Sequence, residues 1–163
     1  MTLIVEDGTG VFGANSYISL SDARSYASSR GLVLPVVDVD CEVGLINALD
    51  FIEANRALFK GTKKSASQPL QFPRLGVVID GNEVADTSIP NELKHAQVVL
   101  AANKEAGIDL FPIIEGHDIK SESIGKGAVT TEYFPGTYSA PRISQVTWLL
   151  KPLFKSQGNK VIR

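Results

Sequence analysis

The sequence has few of the residues that build catalytic centres or cross-links. It holds one cysteine, Cys41, and two histidines, His95 and His117, among 163 residues. One cysteine excludes an internal disulfide and a cysteine metal cluster, and a histidine isolated in sequence makes no catalytic triad. A phosphate-loop glycine pattern and a nucleophile-elbow serine are absent too. We therefore expect no enzyme activity, no cofactor and no metal.

Long apolar runs are also missing. No run approaches the ~18 residues of a membrane span. Glu6 and Asp7 stand where a signal peptide would carry basic residues. Length and a hydrophobic content of 44% fit one soluble domain. We expect a cytoplasmic product without a membrane partner.

Charge is small in total but unevenly placed. The net charge is −2, yet residues 60–76 and 142–163 contain no acid. The first of these stretches carries Lys60, Lys63, Lys64 and Arg74, which become candidates to face DNA. Basic residues near Phe59 and Phe72 fit a groove for single strands. The alternatives are solvated basic faces and phenylalanines that anchor the core.

Apolar spacing and start and stop residues predict four helices, near 21–30, 40–60, 89–107 and 140–156. The first three should form a small bundle. Pro152 should end or kink the fourth helix near Lys151. Residues 62–88 read as a long connection, punctuated by proline and glycine.

A polar segment without helical period separates the third and fourth helices. Gly125-Lys126-Gly127 predicts a three-residue loop in a β-hairpin over about 117–134, with Lys120 opposite Glu132 and Ile119 opposite Tyr133. An isolated hairpin is marginal in water, so neighbouring molecules should order it. The predicted fold is mainly α: a helical bundle with a protruding hairpin arm and a C-terminal amphipathic helix. Within this single domain, residues 1–112 form the core and 113–163 the arm, docking helix and tail.

Several motifs resemble a family of tailed-bacteriophage proteins, often labelled DnaT-like single-stranded-DNA-binding proteins. The resemblance covers most of the chain, although Phe72 stands where tryptophan is common. It is carried by residues 3–10, 14–17 and 149–153, and most clearly by Gln68-Pro69-Leu70-Gln71-Phe72-Pro73-Arg74-Leu75-Gly76-Val77, Asp80-Gly81 and Ile89-Pro90.

The phage context of this family resembles that of head–tail connector, or adaptor, subunits. The resemblance implies a homo-oligomeric ring, typically twelvefold, that docks on the portal protein and meets a tail, stopper or nozzle protein. Packaged double-stranded DNA would pass through the lumen with transient, non-specific contact. The location would be the head–tail junction of the virion, after synthesis in the host cytoplasm.

In that reading the last fifty residues supply the interface. Its candidate residues are Ile119, Ile124, Lys126, Val129, Tyr133, Trp148, Leu150, Leu153, Phe154, Val161, Ile162 and Arg163. The alternative function is a replication protein that binds single-stranded DNA. Its binding would be tight and salt-sensitive, and would be lost when Lys63, Lys64 and Arg74 become alanine.

Overall fold

A computed structural model describes residues 2–111, 119–125, 128–133 and 144–155. The chain divides into two compact units, residues 1–110 with 143–163 and residues 111–142. Within these described ranges, the first unit holds four helices and four short strands, and the second holds a β-hairpin. A helical fold with a hairpin, as predicted, is confirmed in outline. No helix in the described ranges has the length and apolar character to cross a bilayer.

Two-residue strands punctuate the helical unit, and each pairs antiparallel with one neighbour: β1 with β2, and β3 with β4. The sequence predicted only a connection there. The elements of this unit are α1 (Leu20–Ser29), α2 (Asp38–Ala54), β1 (Thr62–Lys63), β2 (Arg74–Leu75), β3 (Val78–Ile79), β4 (Asn82–Glu83), α3 (Asn91–Glu105), α4 (Ser144–Leu150) and a 3-10 turn (Lys151–Leu153).

Helix α2 is shorter than the predicted 40–60. Asn55 follows its last residue, and the Asn55 side-chain amide donates to the Phe51 carbonyl at 2.9 Å. Such a bond satisfies a carbonyl that a continued helix would otherwise use. Phe59 therefore lies outside the helix, where it forms an antiparallel bridge with Phe154.

Helix α3 is the centre of the core, since it packs on α1, α2 and α4. A polar side chain, Gln97, is fully buried on it. The Gln97 amide donates to Ser16 Oγ at 3.0 Å and to the Leu45 carbonyl at 2.9 Å, while its oxygen accepts the Tyr17 N–H at 3.0 Å. These bonds tie the N-terminal loop and α2 to α3.

The 68–74 segment, which carries the clearest part of the family resemblance, contributes buried side chains to the interior of the first unit. The Gln68 side chain donates to the carbonyls of Leu70 and Pro73, both at 2.9 Å. The Phe72 N–H donates at 3.1 Å to the hydroxyl of buried Tyr17. Buried polar groups need such partners, so the motif first holds the fold together.

A close approach explains one glycine of this region. Gly61 has a φ of +66°, and a Cβ there would meet the Leu75 carbonyl oxygen at 2.1 Å. Any side chain would push β1 away from β2. Only glycine suits this position.

The fourth helix contributes to the core of its own chain. Val146, Leu150 and Leu153 are buried together with residues of the first three helices, and α4 packs on α3. The helix gives way to the 3-10 turn at Lys151, as Pro152 predicted. The sequence predicted a core in residues 1–112 and the fourth helix in a separate docking segment. In the structure α4 packs on α3 within the core of the first unit.

The second unit contains β5 (Ile119–Gly125) and β6 (Ala128–Tyr133), paired antiparallel. The hairpin itself was predicted, as was the pairing of Ile119 with Tyr133. The rest of the register was wrong by one residue, since Ile124 pairs with Val129 and Glu132 with Ser121. Gly125 pairs with Ala128, so two residues separate the paired strands where the sequence predicted three. An irregularity between Ile119 and Ser121 restores the predicted outer pair.

We predict that Leu153→Ala lowers the free energy of unfolding by about 2–5 kcal/mol, since it removes a fully buried side chain and leaves a cavity. Urea denaturation measures this, with the exposed Leu75→Ala as the matched control. If both substitutions cost the same small amount, the C-terminal segment is not part of the core.

Candidate nucleic-acid interface

The first unit carries a groove of about 700 Å³ between the turn after α2 and the C-terminal segment. Among the described residues that line it, three are lysines and none is acidic. The lining comprises Leu58, Lys60, Thr147, Trp148, Lys151, Phe154 and Lys155. A groove that combines cations with apolar walls can hold a ligand that is both negative and flat.

Backbone hydrogen bonds join the two walls of the groove. The Lys60 N–H donates to the Leu153 carbonyl at 2.9 Å, and the Lys155 N–H donates to the Leu58 carbonyl at 2.7 Å. Between these bonds the rings of Phe59 and Phe154 pack with centroids 5.3 Å apart. Phe59 is fully buried, so the two walls of the groove are attached to the hydrophobic core.

Trp148 supplies the exposed aromatic surface of the groove. Its side chain is 68% exposed, which is unusual for so large an apolar residue. Lys151, three residues further along, places its ammonium 4.8 Å from the centre of the indole ring. This cation–π contact brings a positive charge to an exposed aromatic surface.

The other two groove lysines have carbonyl partners. Lys60 Nζ donates to the Val78 and Pro152 carbonyls at 2.9 and 2.8 Å. Lys155 Nζ donates to the Ala57 carbonyl at 3.2 Å. Carbonyl partners leave the ammonium charge uncompensated, so both lysines add positive potential to the groove.

Arg74 was predicted to face DNA, and this prediction is wrong. Its guanidinium is buried and donates to the Lys60 and Gly61 carbonyls, both at 2.7 Å, and to Gln71 Oε1 at 3.0 Å. Burial lowers the pKa of Arg74, while the neighbouring Tyr17 and Glu53 act in the opposite direction. An arginine stays charged in this setting, and its charge serves the interior.

Lys63 and Lys64 brace the loop to which they belong. Lys63 Nζ donates to the Gln68 carbonyl at 2.8 Å. Lys64 Nζ donates to the Asp86 carbonyl at 3.0 Å and lies 3.6 Å from the Asp86 carboxylate. Of the four predicted DNA-facing residues, only Lys60 lines the groove. A DNA contact by Lys63 or Lys64 stays a prediction.

The structure separates the predicted interface residues. Leu150 and Leu153 are buried in their own chain, which corrects their assignment to a partner, whereas Trp148 and half-buried Phe154 line the groove. Four others lie in the hairpin strands: Ile119, Ile124, Val129 and Tyr133. The remaining four are outside the described residues: Lys126, Val161, Ile162 and Arg163.

Sequence reasoning missed the groove itself. The basic run after residue 142 was visible, and so was the spacing of three between Trp148 and Lys151. The missing information was that residues 58–60 pair with residues 153–155. Within the described residues no cluster of metal-ligating side chains forms.

A comparison with protein families matches residues 1–163 to a family described as "Putative DnaT-like ssDNA binding protein". No curated protein and no solved structure matches the chain significantly. The DnaT-like resemblance is thus confirmed. The expected connector function is wrong, since the match favours the alternative of single-stranded-DNA binding. It supports no portal, tail or ring partner and no virion role. The virion location followed from that role and is untested.

We predict that Arg74→Ala lowers the free energy of unfolding by about 1–3 kcal/mol for each carbonyl left without a partner. Arg74→Lys should also destabilise the protein, because an ammonium lacks the planar fork that reaches separate acceptors. Urea denaturation with Arg56→Ala, an exposed arginine after α2, as control measures both effects. If Arg74→Ala leaves the free energy of unfolding unchanged, the Arg74 side chain does not stabilise the interior.

Proposed function

Because the chain belongs to the family of DnaT-like single-stranded-DNA-binding proteins, we propose that it binds single-stranded DNA through the Trp148 groove. One observation carries the assignment of the site. An exposed indole and three lysines line the same groove, and none of the described residues that line it carries a carboxylate.

Trp148 supplies the surface on which a base stacks. Stacking of a base on an aromatic side chain contributes about 1–3 kcal/mol and tolerates any base, since every base has a π face. Such stacking requires an unpaired base, because the bases of a duplex are already stacked on each other. The groove therefore favours single strands over duplex DNA and shows little sequence preference.

Lys60, Lys151 and Lys155 supply the positive potential that attracts the phosphates. If all three neutralise phosphates, counterion release from a single strand gives log K against log salt a slope of about −2, from about −0.7 for each contact. Lys151 has a further part. Because its ammonium lies beside the indole, a phosphate adjoining the stacked base meets a cation next to the ring.

We expect a dT oligonucleotide of about ten residues, within the site size of single-strand grooves, to quench the fluorescence of Trp148, the one tryptophan in the chain. The fluorescence anisotropy of a dye-labelled oligonucleotide then measures binding by the variant proteins, including those that lack Trp148. Trp148→Ala should weaken binding by roughly 5- to 150-fold, the equivalent of one stacked base. Lys151→Ala with Lys155→Ala should also weaken binding and flatten the salt dependence by about 1.4.

Two controls locate the site. Lys104→Ala removes an exposed lysine at the end of α3, away from the groove lining, and should leave binding unchanged. Lys63→Ala with Lys64→Ala tests the loop that the sequence favoured. If the loop variant loses binding and the groove variants keep it, DNA is bound elsewhere on this chain. If a duplex of equal length binds as tightly, base stacking does not drive the interaction.

A further inference from the structure

A second surface lies at the beginning of α2, at the other end of that helix from the groove. Five exposed valines occur within eleven residues, and Val36 among them is 89% exposed. Val39 and Val43 are four positions apart on α2 and so share one face. The five are Val33, Val36, Val37, Val39 and Val43. Exposed apolar clusters of this kind mark sites of interaction.

The stability of the free protein does not explain this surface. Val37 occupies the N-cap of α2, and no side chain caps the helix there. Serine, threonine or aspartate at that position would stabilise the helix by about 1 kcal/mol. The chain thus carries an exposed apolar side chain where a polar one would improve folding.

A pocket of about 190 Å³ adjoins the valines, between α2 and α3. Its lining includes the apolar residues Pro35, Val43 and Ala101 and the charged residues Asp40, Lys104 and Glu105. It is large enough for the stem of one long side chain. The two carboxylates of this lining outnumber its one ammonium and so fit a cationic end group.

The surroundings of the surface are acidic. Burial raises the pKa of Cys41 beneath it; Arg24 opposes this rise, and Asp38, Glu105 and Glu42 add to it. Two cations lie at this end: Arg24 is paired with Asp38 at 2.7 Å, and Lys104 lines the pocket beside Glu105. Phosphates and anionic lipid headgroups are repelled by such an arrangement. A basic protein segment is attracted.

We propose that this acidic valine surface, comprising the five valines with Asp40, Glu42 and Glu105, docks a segment of another protein in which apolar residues flank a lysine or arginine. The apolar residues cover the valines. The stem of the basic side chain enters the pocket, and its head group meets Asp40 and Glu105. Helix α2 has 17 residues and so spans about 25 Å. The valines lie at its beginning and the groove follows its end, so a partner on this surface does not compete with DNA in the groove.

The probe is a dye-labelled amphipathic peptide of about fourteen leucine and lysine residues, which has the apolar and basic character of the inferred partner. We expect it to bind the full chain and to shift the amide NMR signals of residues 33–43 and 101–105. Val36→Ser with Val37→Ser should weaken binding about tenfold, since it removes the apolar centre of the interface and keeps every charge. Asp40→Asn with Glu105→Gln should weaken it too and reduce its salt dependence.

The fold should survive these changes, because both valines are exposed and Val37→Ser supplies a capping hydroxyl. Phe12→Ser is the matched control, since Phe12 is 96% exposed and lies outside the surface. The fluorescence of Trp148 should not change when the peptide binds, because Trp148 lies in the groove. The peptide experiment can therefore succeed or fail independently of the DNA experiment. Undiminished binding by the Val36→Ser, Val37→Ser variant would falsify the proposal. Sedimentation showing that the free chain dimerises through these valines would assign the surface to a second copy instead.

Discussion

The hydrogen bonds around two buried side chains, Tyr17 and Arg74, fix the rest of the structure. Tyr17 accepts the Phe72 N–H, and Arg74 holds the carbonyls of Lys60 and Gly61. Together they lock residues 59–61 against residues 71–74, and this places Phe59 where Phe154 pairs with it. The groove at the surface thus depends on polar bonds in the interior, where an unmade hydrogen bond is costly.

The basic residues of the chain divide into two kinds. Arg74, Lys63 and Lys64 donate to carbonyls or to Asp86 within their own loop and serve the fold. Lys151 and Lys155 stand in the groove, and the part of its lining that the structure describes holds no carboxylate. A count of charges along the sequence treats both kinds alike. Their difference lies in position: Lys151 and Lys155 line the groove, whereas Arg74, Lys63 and Lys64 do not, and only the folded chain shows this.

Local pattern predicted the elements that local physics determines. Apolar spacing located α1 and α3, and Pro152 marked the end of α4. The end of α2 was missed because Asn55 turns its side chain back on the helix. The hairpin register was missed because Gly125, which was assigned to the loop, pairs with Ala128. The groove depends on residues almost a hundred positions apart. An amphipathic sequence shows that a helix has an apolar face to bury, but not which element buries it. The apolar face of α4 was therefore assigned to a partner, whereas in the structure it packs on α3.

The place of Leu153 in the core affects how the chain folds during its synthesis. Ribosomes add about 5–20 residues per second, and N-terminal parts generally fold first. Here α3 is translated early, but the side chains that cover one of its faces arrive only with residues 146–153. A nascent chain must therefore keep an apolar helix surface open for seconds.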